Sequence, residues 1–85
     1  MKTLQEKIEI LRKRSEIIRE NAGLPDSSEW RIFLENAFSD WSFQIENNFC
    51  SPRDFLDFVA DNINLMLSEI AWNIFFAFTY LFTLL

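Results

Sequence analysis

The chain has no histidine, one cysteine, one glycine and two prolines among its 85 residues. Without histidine it lacks the commonest general base and the commonest metal ligand. A lone cysteine, Cys50, has no internal partner, which sets aside the disulfide-stapled secreted scaffolds. A lone glycine, Gly23, leaves nothing from which to build a glycine-rich phosphate loop. Basic residues are also scarce after the first quarter, where only Arg31 and Arg53 occur. These absences predict a non-catalytic chain with no metal, no cofactor and no small-molecule substrate.

What the chain has in excess is aromatic surface: ten Phe, three Trp and one Tyr. Each buried aromatic removes about 150–250 Å² from water, so the core must be largely aromatic. Hydrophobic residues make up 49% and charged residues 25%, the composition of a folded protein. The length predicts a single domain, near the size where a core becomes marginal without help.

The net charge of −5 is unevenly spread. Residues 1–22 carry six basic side chains against four acidic, giving +2. The remainder carries two basic against nine acidic, giving −7, and the two together restore −5. An acidic body disfavours nucleic acid, whose phosphates supply most of such affinity. The charged, amphipathic N-terminus is not the pattern of a signal peptide, so a cytoplasmic location, or the cytosolic face of a membrane, is expected.

Periodicity predicts an all-α fold of three helices, about 3–21, 27–48 and 52–84, with consecutive helices as antiparallel neighbours. In the first, Leu4, Ile8, Leu11 and Ile18 form an apolar stripe with Ser15 at the skipped position, widened by Ile10 and Ile17. That stripe is too short to stand alone as a coiled coil, so packing within the chain is expected. Gly23 ends it in a left-handed conformation, and Pro25 follows. The second is predicted to open on Asp26 as N-cap, with Glu29 completing a capping box. Trp30, Leu34, Ala37, Phe38, Trp41, Ile45 and Phe49 line its inner face. The alternation Trp41-Ser42-Phe43-Gln44-Ile45-Glu46 imitates a strand, but a lone strand has nothing to pair with. The third opens with Ser51 as N-cap and Pro52 at the first helical position.

Charged clusters read as surface. Asp54, Asp57 and Asp61 have the spacing to approach a hard cation, yet a solvated acidic face near a helix start explains them better. Arg12-Lys13-Arg14 has glutamates interleaved and reads as a salt-bridged face. Cys50 precedes a helix start, where a thiol pKa can fall, but without a histidine it reads as a packed small residue.

The third helix changes character at Glu69. Up to Ser68 it is amphipathic; from Ile70 to Leu85 it carries no charge, glycine or proline. Two companion helices cannot enclose such a segment, and each large apolar side chain left in water forgoes about 1.5–3 kcal/mol. A partner is therefore expected to bury residues 70–85, through Trp72, Phe75, Phe76, Phe78, Tyr80 and Phe82. Because these encircle the helix, some are expected to pack within the protomer and others across the interface. Self-association or binding to another protein is the leading expectation, in the manner of a small inhibitor, immunity protein or assembly factor. The alternative is insertion into a bilayer: sixteen residues cover about 24 Å of a roughly 30 Å core, with Glu69 at the near edge and no basic flank.

Overall fold

The computed structural model describes residues 1–84 and is all-α: α1 (Leu4–Ala22), α2 (Ser28–Glu46) and α3 (Pro52–Leu84). The expectation for Leu85 lies outside the described residues. The alternating stretch from Trp41 to Glu46 is helical. There the helical spacing of Ile45, in the core, and Trp41, packed against it, overrides the strand-like alternation.

Each helix boundary has a local chemical cause. Thr3 caps α1, its hydroxyl accepting from the Glu6 amide at 3.2 Å. Gly23 adopts φ 82°, and the Gly23 and Leu24 amides donate to the Glu20 and Arg19 carbonyls, each at 3.1 Å. That pair of bonds is a Schellman motif. The second helix ends the same way with asparagine in place of glycine. Asn48 sits at φ 57° and the Phe49 amide reaches the Gln44 carbonyl at 2.9 Å. The Phe43 and Phe49 rings, 5.5 Å apart, supply the apolar contact that accompanies such an ending. This stops α2 at Glu46, two residues short of the predicted end, and leaves Phe49 exposed instead of on the inner face.

The start of α2 also differs from expectation. Ser27, not Asp26, is the N-cap, accepting from the Trp30 amide at 3.3 Å. Asp26 instead accepts from Arg31 Nε at 3.1 Å, and this bond holds its carboxyl below the usual range. The predicted capping box with Glu29 therefore does not form. A box does form at α3. The Ser51 amide donates to Asp54 Oδ2 at 2.9 Å while Ser51 Oγ accepts from the Asp54 amide at 3.1 Å.

The Ser51 amide bond is the main reason the Asp54 pKa is lowered. A depressed carboxylate pKa contributes stability above its unfolded value and loses it as pH falls through the folded one. The first turn of α3 should therefore stay capped down through the ordinary carboxylate range and loosen only below pH 3.8. The Ser51 amide resonance followed by NMR from pH 6 to 2 should shift as Asp54 takes up its proton, in the acidic part of that range, and Asp54→Asn should abolish the transition.

Packing follows from these boundaries. Phe38 stacks on Phe55 at 4.9 Å and Trp41 meets Phe55 edge-on at 5.5 Å. One turn up α3, Phe58 contacts Trp41 at 5.2 Å and Phe33 at 5.9 Å. Ascending α3 thus means descending α2, and the two are antiparallel. Lys7 near the start of α1 donates to the Ile45 and Glu46 carbonyls at the end of α2, each at 3.2 Å, so these two are antiparallel as well. Lys7 supplies the cation that the last turn of α2 lacks. Arg12 pairs with Glu35 and lies over the Phe38 ring at 5.0 Å, so this part of the basic run braces the bundle.

The core comprises Leu11, Leu24, Trp30, Leu34, Ala37, Phe38, Ile45, Phe55, Val59 and Ile63. Ile17, predicted to widen the α1 stripe, is exposed. It lies about 200° from buried Ser15 around the helix, on the far side from the core. Arg19 takes a buried place that no apolar pattern marks. Its Nε donates to Glu16 at 2.9 Å, its guanidinium donates to the Leu24 carbonyl at 2.7 Å, and Glu16 also accepts from Trp30 Nε1 at 2.7 Å. This network ties the end of α1 to the connection and to α2.

Ser15 is fully buried and its hydroxyl has no hydrogen-bond partner. An unsatisfied buried polar group costs about 1–3 kcal/mol, and alanine is also the better helix former. Ser15→Ala is expected to stabilise the bundle by about 1 kcal/mol or more, read as an increased urea midpoint at unchanged m-value.

Candidate interaction surface

The lengths of the helices create the site. Helices α1 and α2 have 19 residues each and α3 has 33. At 1.5 Å per residue these are about 28 Å against about 50 Å. The packed head therefore ends while α3 continues, and the molecule measures 63 × 19 × 19 Å. Among the described residues Ile63 is the last buried one and Leu67 the last partly buried one; every residue from Ser68 to Thr83 is exposed. The change of character read at Glu69 in the sequence coincides with the end of the head.

All six aromatic residues singled out in the sequence lie on this projecting stalk, between 54% and 74% exposed. The expectation that some of them pack within the protomer is not met. Helices α1 and α2 do not lie partly around the stalk; they stop before it begins. Five of the six rings pair with one another along the stalk. Trp72 stacks on Phe75 at 5.6 Å and meets Phe76 edge-on at 4.9 Å, while Phe78 and Phe82 stack at 6.5 Å.

The rings do not encircle the stalk evenly either. At about 100° per residue, Phe78, Phe82, Phe75, Trp72, Phe76 and Tyr80 fall in that order across an arc of about 200°. The other side is aliphatic, formed by Ile70, Ile74, Ala77 and Leu81. Ile70, Ile74 and Leu81 are exposed and were not among the residues picked out from the sequence. The signal was present: Phe55, Val59, Ile63 and Met66 pack against the head, and continuing their spacing gives Ile70, Ile74, Ala77 and Leu81.

The side chains of the stalk that can hydrogen-bond are segregated too. Glu69, Trp72, Asn73, Thr79, Tyr80 and Thr83 share an arc of about 120° within or beside the aromatic side. Two of them are satisfied internally, Thr79 donating to the Phe75 carbonyl at 2.9 Å and Thr83 to the Thr79 carbonyl at 2.8 Å. The end of α1, the connection and the start of α2 lie at the end of the head from which the stalk leaves, and there the acids Glu20, Asp26, Glu29 and Glu69 outnumber Arg19 and Arg31. Both arginines are engaged, Arg19 with Glu16 at 2.9 Å and Arg31 with Asp26 at 3.1 Å.

Elsewhere the head offers less. A cleft at its opposite end is lined by Lys2, Lys7, Ile10, Arg14, Asn48 and Cys50 among others, with Lys7 committed to the α2 carbonyls. Burial, with the Asp54 charge added, pushes the Cys50 thiol up, which disfavours the reactive thiolate. Asp54 is held by Ser51 and Asp57 lies 3.8 Å from Arg53. Among the described residues no group of three metal-ligating side chains converges. No family model, no curated protein and no solved structure matches this chain.

Proposed function

We propose that this is a non-catalytic interaction module in which the three-helix head carries an aromatic stalk into an apolar site on another protein. The observation that carries the reading is an arc of six exposed aromatic side chains on one continuous helix, none of them among the residues packed against the core. Aromatic residues on exposed apolar patches are the usual anchors of protein interfaces. The hydrogen-bonding groups beside the arc fit a surface that demands register, which lipid does not. Trp72, Phe75, Phe76, Phe78, Tyr80 and Phe82 are the partner-binding residues in this reading.

A bilayer is the second reading, favoured by two observations. Helix α3 is long and apolar enough to cross a membrane by length and composition. The Thr79 and Thr83 hydroxyls need no external partner. Against it stands the acidic root of the stalk, which would lie at the surface where membrane anchors carry basic residues.

Light scattering and flotation with phosphatidylcholine vesicles separate the two. The protein is expected to form multimers in detergent-free buffer through unsatisfied aromatic arcs, to fall to smaller species in nonionic detergent, and to stay out of the vesicle layer. Replacing Phe75, Phe76 and Phe78 with Gln should weaken the association by about tenfold or more. A monomer that floats with neutral vesicles would sink the protein-binding reading and establish the membrane one.

A further inference from the structure

We infer that the aliphatic side of the stalk is a self-pairing surface, occupied by the stalk of a second copy running antiparallel and crossing at Ala77. This rests on the reading of the stalk as protein-binding and assigns the side that the aromatic arc leaves open. Three observations carry it.

The first is continuity with the packing of the head. The stripe that buries Phe55, Val59 and Ile63 against α1 and α2 runs on without a break as Ile70, Ile74, Ala77 and Leu81. A neighbouring helix stacked beyond the end of the head would meet the same kind of surface that α1 and α2 already cover. The second is the small residue within that stripe. Large aliphatic side chains flank Ala77 on both sides, Ile70 and Ile74 before it and Leu81 after it. An alanine at the crossing point lets two backbones approach closely, as small residues do at tight helix contacts. An isologous pair places the same patch on both partners, so the two-fold axis falls naturally at this residue.

The third is charge. The stalk root keeps a net negative charge, because Glu20, Asp26, Glu29 and Glu69 outnumber Arg19 and Arg31 even with Arg19 paired to Glu20 and Arg31 to Asp26, and the stalk beyond it is uncharged as far as Thr83. A parallel pair would set two acidic roots side by side. An antiparallel pair places them at opposite ends of a stalk about 20 Å long, beyond a Debye length of about 10 Å. Antiparallel pairing also brings Asn73 of one copy to the level of Tyr80 of the other, on one flank of the stripe. There a carboxamide and a phenol can satisfy each other. The aromatic arcs remain on the two outer sides, so a pair presents two of them.

Disulfide trapping tests the arrangement in the full chain. In a Cys50→Ser background, single cysteines are placed by Ala77→Cys, Ile70→Cys and Leu81→Cys, and the protein is oxidised with diamide. A disulfide needs Cβ atoms about 3.5–4.5 Å apart, a distance that only a residue at the crossing point reaches with its own counterpart in an antiparallel pair. Ala77→Cys is expected to give a covalent dimer as the main product, with at least tenfold less from the other two. Equal trapping at all three positions would mean parallel pairing and overturn the inference while leaving the protein-binding reading intact. No trapping from a monomer that floats with phosphatidylcholine vesicles would overturn both.

Discussion

Ending the chain after Glu69 is expected to leave a monomeric head that unfolds cooperatively at close to the temperature of the full chain. Among the described residues all ten buried apolar ones fall between Leu11 and Ile63, and nothing from Ser68 to Thr83 is covered by the head. Removing the stalk therefore takes away no core contact. What it removes is a large unfavourable exposure. Ile70, Trp72, Ile74, Phe75, Phe76, Phe78, Leu81 and Phe82 are all exposed. At about 1.5–3 kcal/mol for each large apolar side chain, their burial elsewhere is worth more than 10 kcal/mol. That matches or exceeds the whole stability of a small domain, about 5–15 kcal/mol. Association should therefore vanish with the stalk while the fold persists. Light scattering reports the first and far-UV circular dichroism on heating reports the second. A truncated chain that loses cooperative unfolding would show that the stalk belongs to the core after all.

The expected contrast explains why the sequence was legible in some places and not in others. Helix starts and stops were readable where one residue type has one job: Gly23 at a left-handed ending, Pro52 in a first turn, Ser51 with Asp54. They were misread where two neighbours can do the same job. Asp26 and Ser27 are both good N-caps, and Arg31 decides between them by taking Asp26, a choice not visible in the local pattern. Asn48 could have continued α2, but it accepts the positive φ that lets Phe49 fold back on Phe43. The burial of Arg19 depends on a carbonyl in the following connection and on Glu16, which also holds Trp30 across to α2. Such a network has no one-dimensional period.

The stalk shows the same limit in another form. Its hydrophobicity marks it as a surface needing cover, and its rings mark only the aromatic side. The aliphatic side is defined by its alignment with residues more than ten positions earlier, once helix α3 is known to be continuous from Pro52 to Leu84. Whether the head reached up around the stalk depended on the lengths of α1 and α2 relative to α3. Periodicity alone leaves α1 and α2 free to flank any part of α3. They accompany only its first half.

Phe55→Ala is expected to unfold the head outright. Phe55 is fully buried, stacked on Phe38 at 4.9 Å and met edge-on by Trp41 at 5.5 Å. Truncating such a side chain costs about 3–5 kcal/mol, combining lost transfer energy with a cavity. A core this small sits at the low end of the range of about 5–15 kcal/mol for small domains, so the substitution removes most or all of the stability. The expected result is loss of the urea transition and of the near-UV aromatic signal at 25 °C. Phe43→Ala is the matched control: that ring is 63% exposed and touches only Phe49 among the aromatics, so its loss should cost less than about 1 kcal/mol. If Phe55→Ala unfolds within about 1 kcal/mol of the parent, the aromatic layer between α2 and α3 is not what holds the head together. The outcome also bears on the stalk. Ile70 to Leu81 are aligned with the core stripe only because one unbroken helix carries both, and that register is fixed where Phe55, Val59 and Ile63 are clamped. A chain with Phe55→Ala keeps every residue of the pairing surface yet loses the clamp. It should therefore still associate through its apolar segment while the trapping specific to Ala77→Cys is lost, which separates stickiness from a defined interface.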